Sequence, residues 1–178
     1  YIGIYKQYQK IWQDKMYKIM DNFLEDKVFK ELKKLMFSRE IPWYYTSKLN
    51  FNQSNKSLNC YFEHWFYDQA EGIGSSKCFY IVKPILEKLK IKSLIRVKGN
   101  LYARTNKIET HSSHKDFPWK HKACLFSVNS CDGATVLNNG EKIKSVENRM
   151  LFFDSFKPHS STSTTNVKAR ININFNYF

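Results

Sequence analysis

A chain of 178 residues is long enough for one domain with a hydrophobic core, and no apolar run approaches the roughly 20 residues a membrane-crossing helix needs. Its formal charge of +13 would attract nucleic acid or another polyanion, yet the basic residues are nearly all lysine and are spread along the chain, a pattern that biased codon usage also produces. Four cysteines, Cys60, Cys78, Cys124 and Cys131, lack CxxC spacing; this argues against a structural zinc site or a dithiol motif and reads as free thiols in a reducing cytosol.

The first residues, Tyr1-Ile2-Gly3-Ile4-Tyr5, hold neither an initiator methionine nor a long apolar stretch. No secretory signal is expected there, and the chain can begin inside a longer reading frame. Residues 1–20 read as a polar, aromatic-rich lead with helical character. From Asp21 to Phe37 the spacing of Leu24, Val28, Leu32, Leu35 and Met36 predicts an amphipathic helix. Pro42 and Trp43-Tyr44-Tyr45 follow it, 50–59 is a polar loop, and 59–68 is strand-like. Residues 76–90 predict a second helix, with Pro84 marking a kink or a start.

Beyond Ile91 the texture changes to short strands, expected at 94–104, 108–116, 122–129, 135–137, 142–147, 150–154 and 168–177. Asp132-Gly133, Asn138-Asn139-Gly140 and Lys157-Pro158 supply the turns. Helices followed by antiparallel strands indicate an α+β fold, a single domain over 1–178, in which 1–90 is mainly helical support and 91–178 is a β-sandwich or barrel core.

Side chains two apart on a strand share a face, so His114 and Asp116 would project together while Lys115 points away. An imidazole and a carboxylate so placed can hold one edge of a metal's coordination sphere. A second histidine completes a facial triad and leaves three positions open. His159, after the strand over 150–154 and the turn at Lys157-Pro158, is the candidate third ligand. Eleven residues on, Arg170 opens an alternation in which Arg170, Asn172, Asn174 and Asn176 occupy one face and Ile171, Ile173 and Phe175 the other. On a sandwich the polar face would be outside; in a barrel holding a polar ligand it can be inside, where a guanidinium pairs with a carboxylate.

The remaining histidines have plainer readings. On a straight strand His111 faces away from His114; His121 reads as a surface residue and His64 as packed among aromatics. Phe117-Pro118-Trp119 is either a substrate rim or an aromatic plug. Arg104 reads as solvated at a strand end, and Asp154 as a turn cap.

The order of HxD, Asp132-Gly133-Ala134, Asn148-Arg149-Met150-Leu151-Phe152-Phe153-Asp154, His159 and Arg170 resembles the Fe(II)/2-oxoglutarate-dependent oxygenases, over nearly half the chain. Within them the texture, with Ile41-Pro42-Trp43-Tyr44-Tyr45 and the segment from Ile171 to Phe178, resembles small prolyl-hydroxylase-like members, including those encoded by marine bacteriophages. The resemblance implies a double-stranded β-helix (jelly-roll or cupin-like) core with supporting N-terminal helices. It implies Fe(II) on His114, Asp116 and His159, and 2-oxoglutarate as cosubstrate with its far carboxylate on Arg170. O2 is the other reactant, succinate and CO2 are the by-products, and ascorbate is an optional reductant.

Further cosubstrate contacts implied are Asn100 and Tyr102 (an Asn-x-Tyr pattern of nucleic-acid-dealkylating members), Asn172 and Ser127. Ser127 stands in Leu125-Phe126-Ser127-Val128-Asn129, where prolyl-hydroxylase-like members often have a Tyr-Tyr pair, so either it or Tyr102 takes that role. Expected substrates are a peptidyl proline or, as the alternative, a nucleobase. A non-catalytic nucleic-acid- or peptide-binding sandwich and a zinc hydrolase on the same three ligands are the competing classes. A cytoplasmic location, that of an infected host cell for a phage-encoded member, goes with the resemblance.

Overall fold

The protein is described from a computed structural model, covering residues 17–46, 60–69 and 76–178. The polar loop expected over 50–59 and most of the lead over 1–16 lie outside the described residues.

Ten strands are described: β1 (Tyr17–Met20), β2 (Tyr44–Thr46), β3 (Tyr61–Asp68), β4 (Leu94–Ala103), β5 (Lys122–Ser127), β6 (Ala134–Val136), β7 (Lys142–Lys144), β8 (Arg149–Phe153), β9 (Ser160–Ser161) and β10 (Ala169–Tyr177). Seven form an antiparallel sheet in the order β1-β8-β5-β10-β4-β3-β2, and three form a smaller sheet, β7-β6-β9. Among the described residues two helices, α1 (Asp26–Met36) and α2 (Lys83–Leu89), accompany the sheets. This is the expected double-stranded β-helix core.

Helix α1 buries Phe29, Leu32 and Met36 and exposes Lys27, Lys30 and Lys34, the stripe the periodicity predicts. Pro84 sits in the first turn of α2, preceded by a 3-10 turn at Phe79–Val82, so it starts the helix rather than kinking it. The apolar residues Ile171, Ile173 and Phe175 of β10 pack with Phe126, Met150, Phe29 and Ile85 between the large sheet and the helices.

Among the described residues of the first half, strands stand beside the two helices. Residues 17–20 are not helical but a strand paired with β8, and β2 and β3 extend the large sheet from its other edge. Asn148, with a left-handed φ of 56°, ties the lead to the core: its side-chain amide bonds both backbone N–H and C=O of Leu24, at 2.8 and 2.9 Å.

A second departure lies at 108–116, where a continuous strand is expected. Thr110 pairs with Thr162 and His114 with His159, but only as isolated bridges. His111 N–H donates to Ser161 O at 2.9 Å, so the pairing slips by one residue between His111 and His114, at Ser112-Ser113. This is a β-bulge, the device that re-aims side chains beside functional sites. Simple alternation could not foresee it.

Candidate active site

The polar row of β10 points into the barrel. Arg170, Asn172 and Asn176 are completely buried and Asn174 nearly so, yet the opposite row is buried as well. With helices covering one face, the polar row belongs to the interior. Across β4 the register sets Arg170 against Tyr102, Asn172 against Asn100, Asn174 against Lys98 and Asn176 against Arg96. On the other side Asn172 faces Ser127.

At one end of this row lie His114, Asp116 and His159, whose candidate ligand atoms are all within 4.8 Å of one another. Each histidine Nε2 is 3.9 Å from Asp116 Oδ1. The two histidines exchange backbone hydrogen bonds, each N–H to the other's C=O at 2.9 Å. Each ring Nδ1 is directed at the carbonyl two residues back, Ser112 at 3.4 Å and Lys157 at 3.3 Å. With Nδ1 donating, the lone pair is on Nε2, aimed at the shared centre. Burial, then the neighbouring His159, pushes the pKa of His114 down to about 4, so its ring is neutral at neutral pH and free to ligate.

Asp116 is held firmly. Its Oδ2 accepts from Asn176 Nδ2 at 2.8 Å and Asn174 Nδ2 at 3.1 Å, while Arg96 donates to Oδ1 at 3.1 Å. Burial opposes its ionisation, but the Arg96 guanidinium, His159 and the Asn176 amide outweigh it and hold the carboxyl well below the usual range. The arrangement fixes the carboxylate with one oxygen turned to both imidazoles. Residues 114–116 do not form a continuous strand; the shared direction of the two side chains comes from the bridge to His159 and from these three donors.

Asn176 extends the network. Its Oδ1 accepts from Arg96 Nε at 3.1 Å and its Nδ2 lies 3.0 Å from His121 Nε2, which is 2.8 Å from Ser155 Oγ. His121 is therefore buried inside the support of Asp116, not on the surface as expected. The alternation of β10 left Asn176 outward on a sandwich or inward in a barrel, and only the inward alternative brings His121 into the site.

At the other end Arg170 donates to Thr162 O at 3.0 Å and Thr135 Oγ1 at 3.1 Å. Its guanidinium lies 5.3 Å over the ring of Tyr102. It forms no ion pair among the described residues, and its Nε has no hydrogen-bond partner. Burial lowers its pKa from the ordinary arginine value, the direction expected for a charge without a counter-ion. Two more atoms of the row lack partners: Asn172 Nδ2 and Asn174 Oδ1. Asn172 is oriented by Asn100, whose Nδ2 donates to its Oδ1 at 3.0 Å, so the Asn172 Nδ2 is left to face the interior. Such buried orphans are rare and mark a place where a ligand completes the bonding.

Gly133 closes this end: a Cβ there would meet Ser163 O at 2.6 Å and Arg170 Cδ at 2.7 Å, closer than a side chain tolerates. Asp132 beside it anchors the chain before Arg170, accepting from Thr164 Oγ1 at 2.7 Å and Thr165 N–H at 2.9 Å.

The bulge turns His111 inward, contrary to the straight-strand expectation. Its ring lies 5.0 Å from Tyr102 and its Nδ1 2.8 Å from Ser161 Oγ. It is not part of the metal-type cluster. Other expected placements hold: His64 is buried against Phe66 at 4.6 Å, Asp154 caps Phe156 N–H at 3.1 Å, and Arg104 is exposed. The described cysteines are free. Among the described residues no helix is long and apolar enough to cross a membrane.

No protein-family model and no curated protein sequence matches the chain. Solved structures do. A viral collagen prolyl hydroxylase from Paramecium bursaria Chlorella virus-1, in complex with 2-oxoglutarate, aligns with a TM-score of 0.60 at 15% identity, over 92% of this chain and 96% of that one. A Trichoplax adhaerens prolyl hydroxylase, bound to a hypoxia-inducible-factor oxygen-degradation-domain peptide, gives 0.62 at 15%, over 93% and 84%. An oxidoreductase of the 2OG-Fe(II) oxygenase family from Burkholderia pseudomallei gives 0.64 at 8%, over 97% and 89%. The chain has the fold of these oxygenases. At such identities the likeness speaks for the fold, and the site must be argued from its own atoms.

Proposed function

We propose that the protein is an Fe(II)- and 2-oxoglutarate-dependent dioxygenase that hydroxylates its substrate with release of succinate and CO2. The observation that carries this reading is Arg170, a wholly buried guanidinium with an unpartnered Nε and no acidic partner among the described residues. A zinc hydrolase on the same three ligands has no use for such a group, and neither has a non-catalytic sandwich. A dicarboxylate supplies what is missing: acceptors for Arg170 Nε and Asn172 Nδ2, and the counter-charge.

The donor set fits the metal. Two imidazoles and one carboxylate on one face are the pattern that binds Fe(II) and leaves positions open. The bound iron would supply the dioxygen chemistry, and the cosubstrate the electrons for it. The chain's own residues do the rest. Arg96, Asn174 and Asn176 hold Asp116 ionised and monodentate; Ser112 O and Lys157 O fix the histidine tautomers; Arg170, Tyr102 and Asn172 orient the cosubstrate. Asn100 acts through Asn172, and Ser127, facing Asn172, lines the same pocket.

For the substrate, peptidyl proline is the reading that the similar structures favour, since two of them are prolyl hydroxylases. A nucleobase is the second reading; the inward convergence of Asn100 and Tyr102 on Asn172 and Arg170 favours it. The reaction class is tested anaerobically. Addition of Fe(II) and 2-oxoglutarate should produce a metal-to-ligand absorption band that His159→Ala abolishes. A band that survives that substitution would sink the proposed site.

A further inference from the structure

The segments that carry the metal-type cluster also have an outer surface, and it has a marked character. Phe117 and Trp119 stack at 4.7 Å with 22° between their planes, and Trp119 and Phe178 at 5.6 Å with 18°. The Arg96 guanidinium, bonded to Asp116, lies 4.6 Å over Phe117. With the Arg96 guanidinium over its inner ring, the stack Phe117-Trp119-Phe178 thus leads from the partner of the metal carboxylate to Trp119, 39% exposed, and Phe178, 58% exposed. On the adjoining turn Phe156 is equally exposed, with Lys115 Nζ 4.4 Å above its ring.

Around these rings stand Lys115, Lys120, Lys122 and Lys157, all exposed. None of them forms an ion pair among the described residues, whereas on α1 Lys30 pairs with Asp26 and Lys33 with Glu147. The carboxylates within these segments are Asp116, spent on Arg96, and Asp154, which caps Phe156 N–H. The surface is cationic and aromatic, directly beside the proposed catalytic centre.

Stacked aromatics flanked by unpaired lysines match the chemistry of single-stranded nucleic acid. Each base has a planar face that stacks on an aromatic ring, and each phosphate takes a compact ammonium. A duplex would hide its bases from a recessed metal site, so the strand must be single or opened. We propose that this surface binds single-stranded nucleic acid and presents one nucleotide to the site. The inference rests on the oxygenase reading for its purpose but not for its test, because binding requires neither metal nor cosubstrate.

The test uses the full chain and a fluorescein-labelled oligothymidine, followed by anisotropy over a range of salt. A Lys115→Gln, Lys120→Gln, Lys122→Gln variant should weaken binding at least tenfold and flatten the log K against log salt slope by about 2, near 0.7 per lost contact. Trp119→Ala should cost about tenfold through stacking. A control variant with the same charge change elsewhere, Lys27→Gln, Lys34→Gln, Lys77→Gln, should bind nearly as the parent does. If the control loses as much as the rim variant, the attraction is diffuse charge and the proposal fails. It also fails if a labelled acidic proline-rich peptide binds more tightly than the oligonucleotide and loses affinity in the same rim variants. The metal-to-ligand band is read in every variant: a rim variant that loses the oligonucleotide and keeps the band supports the proposal, a parent that shows the band but binds no oligonucleotide overturns it alone, and a band absent from the parent overturns the oxygenase reading alone.

Discussion

The two ends of the β10 polar row solve opposite problems. Around Asp116 almost every donor and acceptor has a partner inside the protein: two amides, one guanidinium, two backbone-fixed imidazoles. Around Arg170 the chain leaves a charge without a counter-ion and two unpartnered donors. A metal site must be pre-formed, because its ligands repel or scatter unless held. A cosubstrate site that loads and releases at every turnover is left unsatisfied until the ligand arrives. The network at the first end should therefore support the fold, while the second should strain it.

Two substitutions of charged residues test that contrast most strongly. Asp116→Asn keeps the shape but removes the charge that Arg96 answers. We expect Fe(II) affinity to fall by more than about a hundredfold, and the apo-protein to lose about 3 kcal/mol because a buried guanidinium is stranded. Titration with Fe(II) and chemical denaturation read the two effects separately. Arg170→Met should behave differently. The 2-oxoglutarate affinity should drop about a hundredfold, yet the apo-protein should melt no lower than the parent, since an uncompensated buried charge gives way to apolar volume. Cosubstrate at a hundred times the parent's Kd should add about 2.7 kcal/mol to the metal-loaded parent and only about 0.4 kcal/mol to this variant. An apo-protein clearly destabilised by Arg170→Met would break the contrast.

How much of this was legible depends on how local its cause is. The row from Arg170 to Asn176 could be read because alternation survives in a strand paired with β4 without interruption as far as Asn176 and with β5 from Asn172 onward. His114, Asp116 and His159 were legible by type and order. The reason first given for their convergence, a regular strand over 108–116, was not the operative one, because a single inserted residue at Ser112-Ser113 sets the geometry. That insertion also turned His111 inward. His121 escaped because its burial depends on Ser155 and Asn176, distant in sequence. The strands at 17–20 and 44–46 were hidden for a similar reason: edge strands take their structure from the neighbour they pair with more than from their own three or four residues.

A steric test sharpens the Arg170 end. Gly133→Ala places a methyl group 2.7 Å from Arg170 Cδ and 2.6 Å from Ser163 O, so either the side chain or the turn must move. We expect about a tenfold loss in 2-oxoglutarate affinity and about 2 kcal/mol of stability, with Fe(II) affinity in the absence of cosubstrate unchanged. Equal losses at both ends would mean that the two halves of the row are not independent.

The smallest expected effect comes from His111, which shares the Arg170 end through Tyr102. Burial, then the Arg170 guanidinium and His114, pushes its pKa from about 6.5 down to about 4. The folded protein therefore resists protonating a residue that the unfolded chain protonates readily. Its contribution to stability is intact above pH 6.5 and is lost as the pH falls towards 4, amounting to about 1 kcal/mol between pH 7 and pH 5.5. His111→Asn, which cannot titrate, should remove that part of the acid limb from a plot of unfolding free energy against pH while leaving the metal-to-ligand band in place. An unchanged acid limb would show that His111 protonates freely, and that the Arg170 end is more open to water than its buried donors imply.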